Sequence, residues 1–371
     1  MTLEDPKQAS DQALAALRER IDAIDVDLQR LLNARAEAAQ EVARVKLAAD
    51  PGAEPVFYRP EREAQVLLRV KERNTGPMGA EEMARLFREI MSCCLALEQP
   101  LTVSFLGPEG TFTEAAAIKQ FGHFARTRAM ASIPEVFREV ESGSAHYGVV
   151  PVENSTEGVV NHTLDSFMHS PLKIAGEVEM RIHHHLLVPP AVEPGAVRRI
   201  FSHQQSLAQC RSWLDAHWPG IQRIPVASNA EAAALVAQEK DAAAIAGSMA
   251  GERYGLRALA TNIEDEPDNT TRFLVIGRQE VAPSGRDKTT LLVSTRNRPG
   301  ALYELLEPFH RHGIMLTRLE TRPSRAGNWS YVFFIDCEGH QDDVEVKRVL
   351  DELRGISIEV KSLGSYPRGV L

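Results

Sequence analysis

The sequence predicts a multidomain chain: an all-α segment, then an α/β segment, then an α+β segment in ferredoxin-like order. Three observations carry that reading. No glycine or proline occurs between Lys7 and Asp50, and the apolar residues there recur at steps of three and four. From Leu101 to about Arg278, strand-like apolar runs alternate with helical ones. The remainder reads strand, helix, strand, strand, helix, strand.

Composition sets the bounds. At 371 residues the chain exceeds one ordinary domain. It is 43% hydrophobic and 25% charged, as soluble globular proteins are. A net charge of −9 argues against general nucleic-acid affinity. No stretch nears the ~20 apolar residues of a membrane span, and the opening MTLEDPKQASDQ is polar and acidic, unlike a secretory signal. Cys93, Cys94, Cys210 and Cys337 show neither metal-ligand spacing nor a disulfide pattern. A cytoplasmic protein is expected, with no nucleic-acid or membrane partner.

In the first segment (1–99), a long amphipathic helix is expected over Asp11–Ala49. DPGAEPVFYRP breaks it, Pro60 opens a second helix to Arg73, and a third covers Ala80–Glu98. A helix this long needs a partner along its seam, so an intertwined dimer is expected. Its stripe runs Leu17, Ile21, Ile24, Leu28, Leu31, then Ala38, Val42, Val45, with Arg35 standing at an apolar step. A guanidinium there needs an anion. Lys46, about three turns on, shares its face; Arg18 lies about 100° around the helix and suits a pocket in a partner chain. Salt bridges along the seam would explain the same residues.

LRERIDAIDVDLQRLLNARAEAAQEVARVK followed by PERE resembles the all-helical chorismate mutases. The resemblance implies a site for a dicarboxylate, chorismate, rearranged to prephenate without covalent catalysis. It assigns Arg35, Lys46 and Arg62 to one site, Arg18 to the other subunit's, and Glu63 to the substrate hydroxyl. Cys94 and Glu98 stand where the family often has serine and glutamine. An ionised glutamate cannot donate a hydrogen bond to the breaking ether, so Glu98 is expected to work protonated. Tyr58 or Arg59 replaces an acidic residue of the family.

The second segment (101–282) is expected to have a largely parallel sheet. FLGPEGTFTEAA (105–116) joins a strand to a helix through an open turn suited to anions. YGVVPVENSTEGVVNHTLDSF (147–167), SHQQSLAQC (202–210) and NTTRF (269–273) place polar residues at strand ends, where open α/β sheets bind ligands. His183–His185 looks metal-like, but strand alternation sends neighbours to opposite faces, so no metal is expected. Together these stretches resemble prephenate dehydratases. The resemblance implies two α/β lobes around a cleft, no cofactor, and conversion of prephenate to phenylpyruvate. Thr271 matches the catalytic threonine, with Glu153, Asn154, Ser155, Thr156, Ser202, Gln209 and Arg272 lining the site. Thr271 is read as a hydrogen-bond donor to the leaving hydroxyl.

EVAPSGRDK links to the last segment (288–371). There strands are expected at Thr289–Thr295, Ile314–Thr321, 329–337 and Ile356–Lys361, a turn at 326–328, and helices at Pro299–His312 and Asp342–Arg354. PGAL and ETRP resemble the phenylalanine-binding motifs of ACT domains. That implies an effector site formed by Gly300, Ala301, Leu302, Glu320, Thr321 and Arg322 between two such domains, and feedback by L-phenylalanine. The expectation is a bifunctional mutase–dehydratase acting as a homodimer or larger homo-oligomer. Its alternatives are an arogenate-preferring dehydratase with mutase, and a catalytically inactive amino-acid sensor.

Overall fold

The computed structural model describes residues 6–49, 56–296, 298–323 and 331–370. The expected turn at 326–328, and the start of the strand after it, lie outside these residues. Three helices come first: α1 (Pro6–Ala49), α2 (Pro60–Arg73) and α3 (Ala80–Glu98). Helix α3 packs on both others. Within one chain α1 has no cover for its stripe: Leu17, Ile21, Ile24, Leu28 and Leu31 are 49–56% exposed. Helix α2 buries Ala64, Leu67 and Val70, one face at helical spacing.

The middle segment folds as two lobes. The first sheet contains β1 (Thr102–Leu106), β2 (Arg126–Met130), β3 (Tyr147–Asn154), β4 (Gly158–Val159) and β5 (Lys173–Arg181). Helices α4 (Phe112–Phe121), α5 (Ile133–Glu141) and α6 (Asn161–His169) intervene. The chain then crosses to a second sheet of β6 (His185–Val188), β7 (Arg199–His203), β8 (Gln222–Val226), β9 (Ala242–Ala246) and β10 (Arg257–Ala260). With it come α7 (Gln204–Gln209), α8 (Arg211–His217), α9 (Asn229–Val236) and α10 (Ser248–Arg253). Strand β11 (Thr270–Gly277) returns to the first sheet, whose order is β2-β1-β3-β11-β5; the second is β10-β6-β9-β7-β8.

The expected largely parallel sheet is therefore corrected. Strands β1, β2 and β3 are parallel, but β11 runs antiparallel to both β3 and β5. The reason is the crossing: a strand returning from the other lobe enters its sheet from the opposite end.

The last unit has β12 (Asp287–Ser294), α11 (Ala301–Arg311), β13 (Leu316–Pro323), β14 (Tyr331–Glu338), α12 (Val344–Ile356) and β15 (Glu359–Pro367). Its order β13-β14-β12-β15 is the ferredoxin-like arrangement. Strand β15 starts later and runs further than expected, because its second half packs on β5 of the first lobe. Gly364 allows the approach: a side chain there would run into the Ile174 backbone.

The units share cores. Tyr58, just before α2, is 5% exposed and sits among Leu101, Phe105, Phe121 and Tyr147 of the first lobe. Its ring centroid lies 5.2 Å from that of Phe121 and 5.3 Å from that of Tyr147. Leu292, Val332 and Phe334 of the last unit join Leu164, Phe167 and Ile174 of the first lobe in another cluster. Among the described residues, no helix is long and apolar enough to cross a membrane.

Candidate active sites and effector site

In the helical segment, Arg35, Lys46 and Glu98 come together where α1 meets α3. Lys46 Nζ donates to the Val56 carbonyl at 3.0 Å and lies 5.4 Å from the Phe57 ring centroid. Burial pushes the Lys46 pKa down, with Glu98 opposing. Burial pushes the Glu98 carboxyl up, against the pull of Lys46 and Arg35. Cys94 is buried one turn before Glu98.

The pair from α2 is divided. Arg62 is exposed. Glu63 is engaged within its own chain: its carboxylate lies 3.3 Å from Arg88 Nη2 and 3.5 Å from the Tyr58 hydroxyl. The cause is helix phase, since Glu63 falls on the stripe of Leu67 and Val70. Arg59 and Glu61, 3.8 Å apart, are the charged groups from this region that act on Lys46. Arg18 is exposed on α1, 17 residues from Arg35 and therefore about 25 Å away along the axis.

A cleft of about 610 Å³ separates the two lobes. The expected residues Asn154, Gln209 and Thr271 line it, as does the turn Gly110–Thr113. Ile182 and His184 on the first crossing, and Asn269 just before β11, complete its centre. No lysine or arginine is among the lining residues. Two helices begin at the cleft wall: Thr111 caps α4 and Ser228 caps α9, each accepting from a backbone N–H, while Glu114 and Glu231 of their first turns reach back to Gly110 N (2.5 Å) and Ala227 N (2.9 Å).

The bonding around Thr271 has a definite direction. Asn154 Oδ1 accepts from the backbone N–H groups of Thr156 (3.1 Å) and Glu157 (3.0 Å). Its amide NH₂ must therefore face the other way, and it donates to Asn269 Oδ1 and to Thr271 Oγ1, both at 2.8 Å. Thr271 accepts that bond, and its own hydroxyl hydrogen has no acceptor among the described residues.

Other expected lining residues stand elsewhere. Ser155 is exposed and ties β3 to β11, its Oγ accepting from Thr270 N at 3.0 Å. Thr156 Oγ1 donates to Asn154 Oδ1 at 2.7 Å and accepts from Gln209 Nε2 at 3.1 Å. Ser202 is fully buried behind the cleft, 2.9 Å from Asn229 Oδ1 and 2.7 Å from the Ile245 carbonyl. Cross-strand register pairs Thr271 with Asn154 and Arg272 with Glu153. Alternation then sends Arg272 and Glu153 to the opposite face. Arg272 bonds Glu177 (2.9 Å), Asp336 (2.5 Å) and the Tyr366 hydroxyl (3.0 Å). Glu153 pairs with Arg318 at 2.9 Å. Both residues serve the contact with the last unit, and neither is among the residues lining the cleft.

The three adjacent histidines diverge. His183 Nδ1 meets Glu264 at 2.7 Å, His184 is buried against Gln209, and His185 Nδ1 accepts from Asn262 N at 3.2 Å. From sequence, His184 stood out only as one of three adjacent histidines, and Asn269 was not given a role of its own. Asn269 stands two residues before Thr271 in NTTRF, which was its one visible signal.

In the last unit, Gly300 has φ 83° as the N-cap of α11, a left-handed conformation that suits glycine. Ala301 lines a cavity of about 560 Å³ with Arg296, Arg298, Glu304 and Ile356–Ile358. Leu302 and Thr321 are exposed and Glu320 is half-buried. Along β13 exposure alternates, and Arg318, Glu320 and Arg322 share the half-buried side. Arg322 is engaged by the first lobe, at 2.7 Å from both Asn161 and Asp165 on α6.

Comparison with known proteins agrees with this division. The chain matches the families described as "Chorismate mutase type II" over residues 17–99, "Prephenate dehydratase" over 103–281 and "ACT domain" over 289–355. It is 61% identical to a bifunctional chorismate mutase/prephenate dehydratase of Stutzerimonas stutzeri, across 96% of this chain and 98% of that protein. A protein of the same description from Pseudomonas aeruginosa is 58% identical, across 98% and 100%. A solved prephenate dehydratase from Arthrobacter aurescens in complex with L-Phe is 37% identical, with a TM-score of 0.67 across 72% of this chain and 90% of that one. The chain belongs to the family of bifunctional chorismate mutase/prephenate dehydratases.

Proposed function

We infer that this chain converts chorismate to prephenate in its helical segment and prephenate to phenylpyruvate in the interlobe cleft. The observation that carries the second activity is the Thr271 hydroxyl in the cleft, which accepts from Asn154 and has no acceptor for its own hydrogen among the described residues. Prephenate loses its ring carboxylate as CO₂, the electron pair of that bond completes the aromatic ring, and the ring hydroxyl departs as hydroxide, which takes a proton from solvent to become water; aromatisation drives the reaction. Thr271, held as an acceptor by Asn154, donates to the departing hydroxyl, where negative charge develops.

The mutase reaction needs orientation rather than covalent chemistry. Arg35 and Lys46 hold carboxylate, and protonated Glu98 donates to the ether oxygen. Arg18 enters from the partner subunit, and the exposed stripe of α1 is the seam of a homodimer. The four cysteines are free thiols, which suits the cytoplasm.

L-phenylalanine acts as feedback inhibitor at the start of α11 and on β13, between two ACT domains. Its effect reaches the cleft through the back of the catalytic strands. Asn154 and Thr271 face the substrate, while their chain neighbours Glu153 and Arg272 grip the ACT unit. The deciding experiment follows phenylpyruvate formed from chorismate, with and without phenylalanine. Formation that saturating phenylalanine suppresses is expected; no phenylpyruvate, or insensitivity to phenylalanine, removes the corresponding half of the reading.

A further inference from the structure

We propose that His184 is a positioning residue for the dehydratase reaction, holding the Gln209 amide with its NH₂ toward the substrate cleft. The inference rests on the dehydratase reading of that cleft. His184 is 1% exposed, lies on the first crossing between the lobes, and packs edge-on against Phe112 with ring centroids 5.7 Å apart. Its Nε2 is 2.9 Å from Gln209 Oε1.

The direction of that bond follows from backbone groups that cannot turn over. Two backbone N–H groups fix Asn154 Oδ1, so the Asn154 NH₂ faces Asn269 Oδ1. Asn269 must then present its own NH₂ to Gln209, at 3.3 Å from Oε1. An oxygen in that place can only accept, so His184 carries its proton on Nε2. The Gln209 NH₂ is left at the cleft surface, 3.1 Å from Thr156 Oγ1 and 3.3 Å from Glu157 Oε1.

The rest of the ring agrees. Nδ1 is buried without a hydrogen-bond partner among the described residues, as fits a ring whose one proton is on Nε2. Burial also pushes the His184 pKa down, favouring the neutral ring. Of the two bonds to Gln209 Oε1, the one from His184 is the shorter. Without it the amide turns more freely, and a turned amide presents its carbonyl oxygen to an anionic substrate.

The test compares His184→Phe, which keeps a planar ring but no donor, with His184→Gln, which restores an N–H donor. In the full-length protein, prephenate-to-phenylpyruvate kcat/KM should fall roughly tenfold in His184→Phe, the scale of one orienting hydrogen bond. His184→Gln should recover to within about threefold of wild type. Combined with Gln209→Ala, His184→Phe should add nothing further, because it acts through that side chain. Equal losses in both His184 variants would indicate packing alone and overturn the proposal. So would additive losses in the double variant, or a wild-type rate in His184→Phe. A wild-type protein without dehydratase activity would instead remove the underlying reading.

Discussion

Asn154 and Thr271 stand opposite one another in the antiparallel β3–β11 pair, and the Asn154 amide donates to the Thr271 hydroxyl at 2.8 Å. That bond uses the threonine as an acceptor and leaves its hydrogen for the cleft. Thr271→Val keeps the shape and removes the donor. Dehydratase kcat should fall about 10²–10³-fold, as for loss of one donor to a developing anion, while mutase activity on the same chain persists. Parallel assays of the two half-reactions check this.

Glu98 is expected to set a pH dependence for the mutase. Burial raises its pKa, so the neutral, donating form survives to higher pH than an ordinary glutamate's. Mutase activity is expected to fall as pH rises through that pKa. Glu98→Gln donates at every pH and should flatten the profile; a profile unchanged in the variant removes the role.

The Arg272 network should matter for stability. Its side chain is 12% exposed, while those of Glu177 and Asp336 are each 2% exposed. Lys288, 2.8 Å from Glu177, completes two positive and two negative charges. Arg272→Met leaves Asp336 buried without its cation, a loss of about 3–5 kcal/mol. Calorimetry should show the first unfolding transition of the variant well below that of wild type.

Arg318 is expected to couple effector to cleft. It sits on β13, bonds Glu153 beside Asn154, and leaves Nη2 buried without a partner among the described residues. Arg318→Gln should still bind phenylalanine in calorimetry, yet lose at least about half of the inhibition at saturation. Full inhibition in this variant would show that coupling travels elsewhere.

The exposed stripe of α1 predicts its own disruption. Ile24→Asp puts a charge in the proposed seam, where desolvation costs several kcal/mol. Sedimentation should show dissociation, with mutase activity lost because Arg18 no longer reaches the partner's Arg35 and Lys46. Dehydratase activity should remain.

Much of this was legible from spacing. The three-and-four rhythm placed α1 and its uncovered face, and eleven residues placed Lys46 on the side of Arg35. Alternation was equally visible in Glu153–Asn154 and Thr271–Arg272, yet it does not say which face of a strand meets substrate. Only the docking of the ACT unit behind β3 and β11 decides that. Glu63 falls in phase with Leu67 and Val70, but its partner Arg88 comes from α3, and the pairing of those two helices is not written in the spacing of either. His184 and Asn269 sat in motifs the sequence made visible, but their roles were out of reach, because their positions depend on where the chain passes between lobes.

Tyr58 limits how far this protein can be taken apart. The unit boundaries suggest a cut near residue 100, yet the ring wedged beside Phe121 and Tyr147 belongs to the mutase side of that cut. A dehydratase fragment starting there would carry a vacant aromatic socket, comparable to a large-to-small core substitution costing about 3–5 kcal/mol. Separating the two activities into independent pieces therefore requires redesigning that socket, or keeping the residues from Tyr58 onward with the dehydratase. The fusion is structural as well as genetic.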